Sequence, residues 1–120
     1  MTDAGLHLRT AEEAARLGDL AGAYQLAYDA GRKALSALLR KRGLRTKGEG
    51  AHATLITATG ALGLPGTDAV PLDRFDRMRR TRNATEYGGR EITTDEVVAD
   101  LEIARTVVAF VEANIDSDES

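Results

Sequence analysis

The sequence predicts an all-α fold: an up-and-down four-helix bundle with an extra short N-terminal helix. Three observations predict it. Apolar residues recur at three- and four-residue steps, no segment alternates apolar and polar residues as a half-buried strand does, and Gly or Pro punctuates the chain between the periodic stretches. At 120 residues there is material for one core and not comfortably for two. We divide the chain into a flexible N-terminus over 1–9, a helical bundle over 10–115 and an acidic disordered tail over 116–120.

Thr10-Ala11-Glu12-Glu13 reads as a capping box that opens a short first helix ending at Gly18. Asp19 then caps a long helix to about Arg42, with Leu20, Ala23, Tyr24, Ala27, Gly31, Ala34, Leu35 and Leu38 on one stripe. Small residues crowd its first half and permit a neighbouring helix to approach closely. The connection from Gly43 to Gly50 is rich in Gly and Lys/Arg. Its Gly48-Glu49-Gly50 only loosely echoes a dinucleotide fingerprint, and without a preceding strand we reject that reading.

A third helix, roughly Ala51 to Leu64, turns Leu55, Ile56, Thr59 and Leu62 inward before Pro65-Gly66. Pro71 suits the first turn of a fourth, which carries Leu72, Phe75 and Met78 inward and ends at Tyr87 before Gly88-Gly89. Thr93 and Glu96 form a second capping box. The helix after it bears Val97, Leu101, Ala104, Val108, Val111 and Ile115, with Val98, Ile103, Val107 and Phe110 widening its apolar surface. A helix apolar on two sides is central to a bundle or shared between subunits, so we expect a homodimer.

The net charge of −3 is unevenly placed. Residues 32–90 hold 13 Lys/Arg against 5 Asp/Glu, whereas the two ends together hold 3 against 14. A basic middle can meet phosphates, although helices also segregate charge for solubility alone. There is no cysteine, which excludes a disulfide framework. The two histidines and scattered carboxylates show no metal-ligand spacing, so we expect no metal and no cofactor. No signal-like start and no apolar run of roughly 20 residues is present, so we expect a cytoplasmic protein with no membrane partner.

The stretch Arg79-Arg80-Thr81-Arg82-Asn83-Ala84-Thr85-Glu86-Tyr87 concentrates the chemistry. Arg82 lies four residues after Met78 and seven after Phe75, so it continues the apolar stripe. A guanidinium in that place needs a partner. Glu86 one turn on, a backbone carbonyl, another subunit or an anionic ligand each qualify. Arg79 and Arg80, with Lys41, Arg42 and Lys47 from the basic connection, are candidate phosphate contacts. His52 is a possible accessory group, more simply read as a surface or capping residue.

From Arg82-Asn83-Ala84-Thr85-Glu86-Tyr87-Gly88, the capped last helix with Leu101 to Arg105, and the stretches Ala27 to Gly43 and Gly50-Ala51-His52, the sequence resembles the HEPN family of small prokaryotic helical bundles. The likeness spans about Ala11 to Ile115. It implies a dimer in which an arginine, a polar residue and a histidine from two subunits cleave RNA without metal. Arg82 matches the arginine, Asn83 the polar residue, and Tyr87 stands where the histidine is expected. Histidine titrates near pH 6.5 and a phenol near 10, so Tyr87 is a poor base at neutrality.

The resemblance implies a dimeric module that binds RNA or a nucleotide phosphate through a degenerate ribonuclease motif. The implied setting is a bacterial toxin–antitoxin or phage-defence system, often beside a nucleotidyltransferase-type antitoxin. Two alternatives stand beside it: an active metal-independent endoribonuclease toxin, with Tyr87 or His52 moving protons, and a structural interaction module in which Arg82 pairs with Glu86. In a straight helix Arg82 and Tyr87 point about 140° apart. A joint site therefore needs the helix to unwind near Thr85 or a dimer to supply one group from each subunit.

Overall fold

The computed structural model describes residues 2–44 and 51–115, and the side chains of 51–54, 86 and 87 lie outside that description. Its helices are α1 (Asp3–Arg16), α2 (Leu20–Lys41), α3 (Ala51–Ala61), α4 (Leu72–Tyr87) and α5 (Thr94–Asn114), with a 3₁₀ turn at Thr67–Ala69 before α4. Among the described residues there is no strand, and the chain is an all-α bundle.

The expected caps form at two helices. Asp19 accepts the Gly22 N–H at 3.0 Å at the start of α2, and Thr93 and Glu96 make the reciprocal capping box of α5. The first helix differs from expectation. It starts at Asp3 with Thr2 as its cap, so Asp3 to Arg9 is helix rather than a tail, and Thr10 sits mid-helix with its hydroxyl on the Leu6 carbonyl at 3.0 Å. Its inward stripe is built on alanines: Ala4 and Ala11 are buried and Ala14 and Ala15 partly so. These meet the small residues of α2, and such a stripe carries little hydropathy to announce a helix.

Helix directions follow from side-chain pairings. Thr2 bonds Glu112 and Arg105 bonds Glu12, so α1 runs antiparallel to α5. Tyr24 reaches Asp100 and Arg42 reaches Asn114, so α2 runs parallel to α5. Gly31 and Tyr28 face Phe75 while Tyr28 also faces Arg82, so α4 opposes α2. The four longer helices thus alternate in direction, and the shorter α3 packs on α2 and α4. Helix α2 touches all the others.

The core residues expected on α2, α4 and α5 are in place: Tyr24, Leu35, Leu38, Phe75, Met78, Val97 and Ala104 are all within a few per cent of full burial. Ile103, Val107 and Phe110 of α5 are buried inside this chain too, and only Val98 of the widening set is exposed, at 63%. The second apolar flank of α5 is therefore covered by α1, α2 and α4, and does not itself call for another subunit. The expected acidic tail, 116–120, lies outside the described residues.

Candidate phosphate-binding site

Gly31 is the residue that lets α2 and α4 close on each other. A Cβ there would stand 2.4 Å from the Phe75 ring, so only glycine admits the ring, and a glycine inside a helix is otherwise worth about 0.5–1 kcal/mol less than alanine. Phe75 uses that space to stack on Tyr28, with centroids 5.4 Å apart and planes 16° from parallel. Tyr28 in turn carries Arg82, whose guanidinium carbon lies 4.9 Å from the ring centroid. A cation over a partly desolvated ring is favourable by roughly 0.5–2 kcal/mol.

Arg82 thus turns inward, as its place in the apolar stripe requires. Among its contacts are Tyr28 and Asn83, whose Oδ1 accepts from Nη2 at 3.1 Å. The side chain of Glu86, one of the four partners considered from sequence, lies outside the described residues, as do those of Tyr87 and His52.

Two more arginines act on the same tyrosine. Burial pushes the Tyr28 phenol above its ordinary value, and the positive charges of Arg82, Arg32 and Arg79 pull against that shift. Arg32 follows Tyr28 by one turn on α2 and Arg79 precedes Arg82 by one turn on α4, so both pairs share faces. Arg32 is loosely paired with Asp29 at 3.8 Å and stays exposed. The Nε of Arg79 is buried and finds no acceptor among the described residues. Arg80 points to solvent.

The residue beside Arg82 is anchored as well. Thr81 hydrogen-bonds the Tyr24 phenol, which donates to Asp100 Oδ2 at 2.5 Å, joining α4, α2 and α5. Burial first, and the Asp100 carboxylate second, hold the Tyr24 phenol far above its usual range. Thr81 and Arg82 therefore sit on consecutive tyrosines of α2, and α4 has little freedom to slide or rotate.

Helix α4 does not unwind. The Thr85 hydroxyl donates to the Thr81 carbonyl at 2.9 Å, helix geometry runs to Tyr87, and the N–H groups of Gly88 and Arg90 both reach the Ala84 carbonyl. Gly89 supplies the positive φ, +71°, of this ending. Positions 82 and 87 therefore keep their angular separation, whereas Asn83 and Tyr87, four apart, occupy one face.

The remaining expected contacts are not gathered here. Lys41 and Arg42 end α2 at the opposite pole of the bundle, about 20 Å along the helix from Tyr28. Arg42 donates to the Asn114 carbonyl at 3.3 Å, closing the C-terminus of α5. Lys47 lies outside the described residues. Among the described residues no three His, Cys, Asp or Glu side chains group as a metal site would need, and no helix is long and apolar enough to cross a membrane.

Sequence reasoning placed Tyr24 on the inward stripe of α2 but missed its bond to Asp100, and it missed Tyr28 and Arg32. The spacing Tyr24, Tyr28, Arg32 was visible as one face of α2, but nothing local showed that α4 would lay its arginines against it. The family comparison now adds the deciding finding: the model of the HEPN domain matches residues 1–114. The chain belongs to the HEPN domain family. The match includes Asp3 to Arg9, in keeping with their place in α1. No curated protein and no solved structure matches this HEPN chain.

Proposed function

We propose that this HEPN domain binds RNA or a nucleotide's phosphates through Arg82, Asn83 and Arg79, with Arg80 at the rim and Tyr87 closing a degenerate ribonuclease motif. The observation that carries the proposal is the seating of Arg82 on Tyr28 with Asn83 beside it and two further arginines close by. Guanidinium groups match phosphate oxygens in a fork, and a ring beneath the group lowers the entropy lost on binding. A homodimer is supported by the unbroken α4: with positions 82 and 87 on different faces, a shared site takes one group from each copy. The cellular setting that fits is a cytoplasmic toxin–antitoxin or phage-defence pair with a nucleotidyltransferase-type partner.

Cleavage is not expected. A phenol at position 87 removes the neutral-pH base, and general acid–base help is worth roughly 10²–10⁴ in rate. A single set of titrations tests this. Wild-type protein should bind a fluorescein-labelled 12-mer RNA with an affinity that falls as salt rises, and Arg82→Ala should abolish that binding. No RNA should be cut with or without EDTA, and Tyr87→His should introduce cutting. Cleavage by the wild-type protein that disappears in Arg82→Ala would instead establish the active endoribonuclease.

A second reading has one observation in its favour. Arg82 is already engaged inside its own chain by Tyr28 and Asn83, as a purely structural interaction module would have it. RNA binding unchanged in Arg82→Ala and Arg79→Ala would decide for that reading.

A further inference from the structure

Arg32 belongs to two places at once. It is one turn from Tyr28, and it also lines a groove of about 670 Å³ between the C-terminal half of α2, the start of α1 and the end of α5. From Arg32 the exposed stripe of α2 continues through Lys33 and Ser36 to Arg40, all of which line the same groove. Arg32, Lys33 and Arg40 are exposed, and among the described residues Lys33 and Arg40 form no ion pair. The floor is aliphatic. Its two carboxylates, Asp3 and Glu112, stand on the wall away from α2, where Glu112 already accepts from the Thr2 hydroxyl at 3.1 Å.

We propose that the phosphate-binding surface does not stop at α4 but runs along α2, with Arg32 as its hinge and Lys33 and Arg40 guiding a single RNA strand through the groove. The proposal rests on the RNA-binding reading above and extends it to a strand-length surface. The distance from Tyr28 to Arg40 is about 18 Å along the helix, longer than one nucleotide phosphate and suited to several in succession. A cavity of this size is within the common range of roughly 300–1,000 Å³ for ligand sites. The cations lie along one wall, as a backbone-tracking groove requires. The aromatic side chains Tyr24, Tyr28, Phe75 and Phe110 are buried, so none of them stacks on a base. The strand is held by its phosphates, and this surface reads no sequence.

Fluorescence anisotropy with labelled 12-mer oligouridine and with labelled dinucleotide, over a range of salt, tests the inference. Lys33→Ala/Arg40→Ala should bind the 12-mer several-fold more weakly than wild type. Its salt slope should be lower by about 1.4, since each single-strand phosphate contact contributes roughly 0.7. The dinucleotide, held at Arg82, should bind both proteins alike. Glu112→Gln should tighten the 12-mer by removing a facing negative charge. If the double variant binds the 12-mer with wild-type affinity and slope while Arg82→Ala does not bind, the track along α2 is wrong and the α4 site stands. If wild type binds neither RNA, both proposals fall. Lys33, Arg40 and Glu112 are exposed, so loss of folding does not confuse their arms, and circular dichroism checks that the half-buried Arg82→Ala is folded.

Discussion

Tyr24 and Tyr28 lie one turn apart on the same face of α2, and both are almost wholly buried, yet they do opposite things. Tyr24 acts through its hydroxyl: it donates to Asp100, takes in Thr81, and ties three helices at fixed register. Tyr28 acts through its ring: Phe75, stacked on it, fixes its plane, and Arg82 rests on it. The first is a lock and the second a platform. Residue type does not decide which; the facing helix does, by bringing a carboxylate to one and arginines to the other.

The largest break in this comparison is Phe75→Ala. It removes a fully buried ring under the platform and leaves the space above Gly31 empty, so urea unfolding should show a loss of about 3–5 kcal/mol. Tyr24→Phe comes next. It leaves the part-buried Asp100 carboxylate without its donor, which should cost about 1–3 kcal/mol. Asp100→Asn combined with Tyr24→Phe in a double-mutant cycle should recover part of that loss, because the two effects share one contact.

The tyrosines also give the fold an alkaline limit. Both phenols are held above their ordinary value of 10, so the folded state disfavours the phenolate relative to the unfolded chain. Their contribution is fully present below pH 10 and is lost as pH rises beyond it. Unfolding followed against pH should steepen there, and Tyr24→Phe should flatten the fall. The smallest expected effect is at the other polar feature of that end. Thr93→Ala removes one half of the α5 capping box and should cost about 1 kcal/mol. Glu96, held below the ordinary carboxylate value chiefly by Arg90, makes its contribution at neutral pH and loses it as pH falls into the acid range. The gap between wild type and Glu96→Gln should therefore close in acid.

The elements with bulky periodic stripes were legible in the sequence: α2, α4 and α5 carry Leu, Phe, Met and Val at helical steps, and their caps are local. Helix α1 was half legible, because alanines that fit against alanines give no hydropathic signal. The inward turn of Arg82 was also legible, since it depends only on spacing from Phe75 and Met78. Its seat was not. Tyr28 is 54 positions earlier in the chain, and the sequence holds no record of how helices face one another. The same gap hid where Lys41 and Arg42 would fall: expected to extend the surface around Arg82, they end α2 about 20 Å along the helix from Tyr28. Arg32 and Lys33 were passed over because a charged stripe on a helix is ordinarily just its wet face.

The most direct test of the central claim compares two substitutions at one position. Tyr28→Phe keeps the ring under Arg82, and Tyr28→Leu keeps an apolar filling but removes the ring. Titration of the labelled 12-mer RNA should give the Phe variant wild-type affinity within about twofold, while the Leu variant, shown folded by circular dichroism, binds about tenfold more weakly, in line with the roughly 0.5–2 kcal/mol of a cation–ring contact. Equal, undiminished binding by both variants would contradict the claim that Tyr28 presents Arg82 to phosphate.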